Sequence, residues 1–166
     1  MSFFASALRA VYKLSGAKKS FQGGEGGLCQ DRGLSEEVRI GAGRMKYFEF
    51  GKENTELMVM LHGGGTSYLG VLPAAREMAK VYHVLLVAYD GFNPDVPETE
   101  FKSPMDEARR LGDYIVEKYG GRIDILYGIS YGCRVLMEVL SDARLTITTT
   151  IADGMSLRDY PDIKSK

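Results

Sequence analysis

Ser130 is the residue of this 166-residue chain whose neighbours best equip it for chemistry. It stands at the centre of Gly128-Ile129-Ser130-Tyr131-Gly132, between an apolar run, Ile123-Asp124-Ile125-Leu126-Tyr127, and a helical pattern over residues 133–140. Strand, tight turn, helix is the reading, with the serine at the turn. Such an elbow lifts a hydroxyl above a sheet, and small residues on either side let the backbone turn that sharply. A serine hydroxyl is a weak nucleophile until a base takes its proton. With 20 glycines in the chain, the bare motif carries little weight; the strand before it and the helix after it carry more. The bland alternative is an idle serine in a glycine-tolerant turn.

A second glycine-rich strand end, His62-Gly63-Gly64-Gly65-Thr66-Ser67, follows the apolar run Leu57-Met58-Val59-Met60-Leu61. Attack on an acyl carbon puts negative charge on the former carbonyl oxygen, and two preorganised backbone N–H groups stabilise it by several kcal/mol. The expected donors are the N–H of Tyr131 and that of Gly64 or Gly65. A phosphate loop is the competing reading, but the Lys-Ser/Thr of a P-loop and the G-x-G-x-x-G spacing are both absent.

The elements that must position these residues follow from pattern. Residues 37–50 read as a hairpin: 37–40, a Gly41-Ala42-Gly43 turn, then 45–50, both arms alternating. Residues 57–61 and 83–88 are apolar throughout, as in strands covered on both faces. A short helix is expected over about 71–80. A longer one starts at Ser103-Pro104-Met105-Asp106, with Ser103 as N-cap, Pro104 in the first position, and Asp106 and Glu107 complementing the dipole; Gly120-Gly121 stops it after Tyr119. The last apolar strand covers 147–152. The fold class is α/β, with a mostly parallel sheet, an antiparallel hairpin at its start and helices on both faces. Ligands of such sheets bind at the carboxyl ends of the strands. Those ends here carry His62-Gly63-Gly64-Gly65, Asp90-Gly91, Ser130 and Asp153-Gly154.

Composition narrows the remaining classes. A net charge of -1 provides no basic surface for nucleic acid. The two cysteines, Cys29 and Cys133, form neither a disulfide framework nor a zinc motif, so the expectation is a cytoplasmic chain with no metal or organic cofactor. No run reaches the length of a membrane span. Phe4, Leu8, Val11 and Tyr12 share a helical face, expected to dock on the domain or form a loose arm. Residues 1–27 are read as this helix and a Gly-rich connector, and 28–166 as the core.

Leu61-His62-Gly63-Gly64-Gly65 and Tyr127-Gly128-Ile129-Ser130-Tyr131-Gly132 resemble the α/β-hydrolase superfamily, over about residues 37–160. Tyr89-Asp90-Gly91-Phe92, the segment 101–119 and Ile151-Ala152-Asp153-Gly154 look like a group of small bacterial hydrolases of unassigned substrate. The resemblance implies Ser130 as nucleophile on the fifth strand, an acid after the seventh strand or less often the sixth, and a general-base histidine after the eighth. It implies an ester- or acyl-cleaving serine hydrolase with a small-molecule acyl substrate.

The chain departs from that pattern in one respect. Counting 147–152 as the sixth strand, the strands that carry the histidine are not represented. Of the two histidines, His62 belongs to the glycine loop and reads as structural, while His83 opens a strand at the opposite edge. Asp153, at the end of the sixth strand, is the candidate acid, against the plainer reading of a strand-end turn aspartate. Asp90 reads as capping a turn, and Cys133 as a small packing residue. A sheet ending at 147–152 has an open, uncharged edge. A fragment of a longer hydrolase, a shortened relative, or a subunit completed by a second copy through that edge all account for it. The expectation is a chain inactive or very slow as it stands, or a non-catalytic binding module derived from a hydrolase.

Overall fold

The computed structural model describes residues 38–39 and 45–155. The expected N-terminal helix and connector, Cys29 and the Gly41-Ala42-Gly43 turn lie outside them.

Apolar runs become the centre of a sheet because both of their faces have to leave water. Strand β3 (Leu57–Leu61) is buried along its whole length, and β4 (His83–Ala88) nearly so. Burying each such side chain contributes about 1.5–3 kcal/mol. They lie side by side and parallel within a sheet that also contains β1 (Val38–Arg39), β2 (Lys46–Phe50), β5 (Arg122–Ile129) and β6 (Thr146–Asp153). The order across the sheet is β1-β2-β4-β3-β5-β6. The first two strands are antiparallel, to each other and to β4, and the rest are parallel. The hairpin read from alternation is thus present, and so is the parallel body read from continuous apolar runs.

Helix α1 (Leu72–Met78) joins β3 to β4, and a short 3-10 turn, Tyr68–Gly70, precedes it. Helix α2 (Pro104–Tyr119) joins β4 to β5, and α3 (Gly132–Leu140) joins β5 to β6. The pleat sorts their partners. Val59, Leu61, Leu85 and Val87 pack with Leu111, Ile115, Val135 and Val139 of α2 and α3. Met58, Met60, Val84 and Leu86 pack with Ala75 and Met78 of α1 on the other face. The long helix begins as its sequence directs: Ser103 Oγ accepts the Asp106 N–H at 3.1 Å, with Pro104 in the first turn. Asp106 and Glu107 both lie in that first turn, as expected, but Glu107 does not face solvent. It is fully buried.

Strand register decides where chemistry can happen. Leu61 pairs with Val87 on one side and Gly128 on the other, and Gly128 pairs with Ala152. The carboxyl ends of four strands therefore finish on one line. The connection from β3 leads towards β4, while that from β5 leads towards β6. This makes the gap between β3 and β5 the topological switch point, where a crevice opens at the carboxyl edge.

Candidate active site

Both loops singled out by sequence open into that crevice. Strand β5 runs to Ile129, two residues beyond the apolar run, so Gly128 belongs to the strand and Ser130 alone makes the turn. Ser130 has φ of +51°, and among the described residues it is the one non-glycine residue with positive φ. An L-residue held there costs on the order of 1 kcal/mol or more, and the strain persists only because the surroundings enforce it. Here the Ser130 N–H donates to Asp153 O at 2.7 Å, tying the turn to β6. The Cys133 N–H donates to Ser130 O at 3.0 Å, closing the first turn of α3.

The flanking glycines are required by crowding. A Cβ on Gly132 would stand 2.6 Å from the carbonyl oxygens of both Leu61 and His62. One on Gly128 would stand 3.0 Å from Gly132 O. Strand β3 and the start of α3 touch backbone to backbone at this point, so the elbow is pressed against the glycine loop. The loop also crosses the elbow closely at Gly64, where a Cβ would meet Tyr131 Cβ at 3.0 Å. The Tyr131 ring is edged by Phe101 at 5.8 Å and covered by the Arg134 guanidinium at 5.6 Å.

His62 anchors the loop. It is fully buried, its Nε2 accepts the Tyr89 N–H at 3.4 Å, and its Nδ1 lies 2.9 Å from Gly63 O. A nitrogen that accepts leaves the proton on the other, so the partners assign the neutral Nδ1–H tautomer, donating to Gly63 O. Burial pulls its pKa below the ordinary histidine value, partly opposed by the bonds to the loop backbone at Gly63 and Thr66. Thr66 Oγ1 also donates to Gly63 O, at 3.3 Å.

No protein-family model and no curated protein matches this sequence. Solved structures do. A protein assigned to the α/β-hydrolase family from Desulfitobacterium hafniense matches with a TM-score of 0.59 and 19% identity, over 64% of this chain and 43% of its own. An esterase of Mycobacterium tuberculosis matches with a TM-score of 0.57 and 16% identity, over 100% of this chain and 54% of its own. The chain has the α/β-hydrolase fold. It spans about half the length of these neighbours, or less. A 1H-3-hydroxy-4-oxoquinoline 2,4-dioxygenase is similar too, with a TM-score of 0.54 and 20% identity over 63% of this chain and 39% of its own. Function in this fold is therefore a matter of the site.

Within the α/β-hydrolase fold of this chain, Ser130, Tyr131, Gly64, Gly65 and Asp153 all come to the switch-point edge. Asp153 sits at the end of β6, its backbone bonded to Ser130, and its carboxylate Oδ2 accepts the Tyr127 hydroxyl at 3.0 Å. Burial and the Asp153 charge push the Tyr127 phenol well above its ordinary pKa, so it remains a donor. Nothing in the sequence pairs residues 127 and 153; that partnership comes from strand register. His83 lies at the opposite edge, with Nε2 3.6 Å from Glu49 and its ring against Tyr119. Cys133 is buried with Sγ 3.2 Å from Gly128 O, and burial raises its pKa, the setting of an inert thiol. Asp90 differs from the turn-capping reading: it is buried and paired with Arg110 of α2. Among the described residues no group of three or more His, Cys, Asp or Glu could hold a metal ion, and no helix is long and apolar enough to cross a membrane.

Proposed function

We propose that this chain is the nucleophile-bearing part of an ester- or acyl-cleaving serine hydrolase. Ser130 Oγ attacks the acyl carbon, and the N–H groups of Tyr131 and of Gly64 or Gly65 receive the oxyanion. The observation that carries the reading is the strained Ser130 turn clamped between β3, β6 and the glycine loop. A serine kept at φ +51° by that much packing is poorly explained as a spacer.

Peptide geometry supports the donor assignment. The Gly63–Gly64 peptide is planar and trans, so its C=O and N–H point in opposite directions. With Gly63 O held by His62 and Thr66, the Gly64 N–H is turned away from that anchor, along the loop that crosses Tyr131. Asp153 is the triad acid of this reading, supported by its place beside the elbow. The general base has no candidate here. Both nitrogens of His62 are committed to backbone, and His83 faces Glu49 at the other edge. Acylation by this chain is accordingly slow, because a serine without its base retains only the oxyanion contribution.

The test is chemical rescue. Added imidazole should accelerate p-nitrophenolate release from p-nitrophenyl acetate, with an acetyl group appearing on Ser130 by mass spectrometry, and Ser130→Ala should lose both. Equal rescue in the two proteins would sink the reading. The second reading, a hydrolase-derived binding module, is favoured by the commitment of the Asp153 carboxylate to Tyr127. It expects small acyl compounds to bind without acylation. Pairing of two copies along β6, whose alternate residues are exposed, would appear as a dimer in sedimentation at micromolar concentration.

A further inference from the structure

Behind the glycine loop lies a polar cluster that the proposed chemistry does not use. Glu107 of α2 is fully buried; neither carboxyl oxygen makes a close hydrogen bond, and the backbone N–H of Asp90 reaches it only loosely. Asp90, in the turn after β4, is 5% exposed; its Oδ1 is likewise unpartnered, while Oδ2 bonds Arg110 Nη1. The same Nη1 stands 3.5 Å from Glu107 Oε1. Two buried carboxyls thus face one guanidinium. If both were ionised, the cluster would hold an uncompensated negative charge in a dry interior, and buried carboxyls avoid that by keeping a proton.

We propose that Glu107 keeps a proton beside the Asp90–Arg110 pair, and that this proton keeps the Tyr89–Asp90 turn where it meets His62, making Glu107 a positioning residue for the glycine loop. The inference rests on the reading of Gly64 or Gly65 as an oxyanion donor and supplies that site with a pH-dependent support. Arg110 bonds Asp90 directly and stands 3.5 Å from Glu107, so Glu107 is the carboxyl left to hold the proton. Burial pushes the Glu107 pKa up to about 7, with Arg110 and the Asp90 backbone N–H opposing it and the Asp90 charge adding to it. The other groups facing the cluster are Asp106 on the same helix, Tyr89 from the end of β4 and Tyr47 from β2. Tyr131 and Cys133 of the elbow face Tyr89 in turn.

The path to the site is short. Asp90 follows Tyr89, whose N–H reaches His62 Nε2 at 3.4 Å, near the long limit of a hydrogen bond. The Tyr89 and His62 rings lie 4.1 Å apart. His62 Nδ1–H then holds Gly63 O. When the proton leaves, the two carboxylates repel and compete for Arg110. The Asp90 turn shifts, and the long Tyr89–His62 bond is the weakest link to absorb the movement.

The test needs no turnover. Infrared spectra of the full chain should contain a protonated-carboxyl carbonyl band that disappears as pH rises through about 7, and Glu107→Gln should lack it. With 15N-labelled histidine, the His62 ring signals should move over the same interval in the wild-type chain and lose that movement in Glu107→Gln. Burial lowers the His62 pKa from the ordinary value, and its own titration persists in Glu107→Gln, so the variant separates the two events. Arg110→Gln removes the group that opposes the raised pKa and should move the midpoint upward by about one pH unit or more. Absence of the band below that midpoint, or His62 signals indifferent to its loss, would overturn the proposal, and both are read on the wild-type chain without any variant. Failure of Ser130 to acylate would overturn the hydrolase reading alone.

Discussion

Two glutamates, one at each edge of the same sheet, show how this molecule divides its work. Glu49, towards the amino-terminal edge, is surrounded by donors. Oε1 accepts the hydroxyls of Tyr114 at 2.9 Å and Tyr119 at 2.8 Å, and Oε2 meets Lys52 at 2.9 Å. Burial raises its pKa, but the bonds from Lys52, Tyr119 and Tyr114 outweigh that and hold it below the ordinary value. Glu107, on the side of the carboxyl edge, is more deeply buried and makes no close hydrogen bond, and burial outweighs Arg110 and the Asp90 backbone N–H, so its pKa goes up. At one edge the carboxylate is satisfied, although His83 Nε2 beside it has no hydrogen-bond partner. The other combines a strained serine, backbones in contact and an under-supplied carboxyl. Unresolved polarity and strain gather where a fold must leave room for chemistry.

The largest expected effect comes from the carboxyl edge. Gly132→Ala puts a methyl group 2.6 Å from two carbonyl oxygens, and should cost more than about 3 kcal/mol in urea denaturation, since neither strand β3 nor the elbow can move aside.

Glu107→Gln sharpens the comparison through pH. In the wild-type chain, as pH rises from 4.5 to about 7, the unfolded state gives up a proton that the folded state keeps. Stability therefore falls across that window, by about 3 kcal/mol, and stays low above it. The glutamine variant should lack this fall, gaining stability relative to wild type at pH 8 and little at pH 4 when thermal melts are compared.

Glu49→Gln should behave in the opposite sense. A lowered pKa contributes stability that is present above the ordinary carboxyl value and lost as pH falls through the folded one. The variant should lose about 1 kcal/mol at pH 7, with the deficit closing in acid. Equal pH slopes for the Glu49 and Glu107 variants would erase the distinction between the two edges. The smallest effect is expected of Ser130→Gly, which releases the positive-φ strain and, after glycine's greater unfolded-state entropy is subtracted, should gain about 0.5 kcal/mol in the same urea measurement.

Much of the site was legible because its residues are local. The elbow and glycine loop each sit within a few residues of a continuous apolar strand, and Ser103-Pro104 announces its helix by backbone chemistry alone. The first-turn place of Glu107 was legible too, but not its burial. Seen along the chain, an acidic residue in a first helical turn complements the dipole, and only the fold sets it inward beside Asp90, Tyr89 and Tyr47. Asp90 gave no sign of its partner, Arg110, which lies twenty residues away.

The sequence by itself determined the elements, the mostly parallel sheet and the placing of Ser130, Asp153 and residues 64–65 at strand ends, since periodicity, glycine spacing and capping act over short range. The tertiary structure decided the rest: the register that sets Asp153 beside Ser130 and under Tyr127, the tautomer of His62, and which of two glutamates is given close donors. Those depend on contacts between residues far apart in the chain, whose distances and desolvation exist only once the strands have paired and the helices have closed over them.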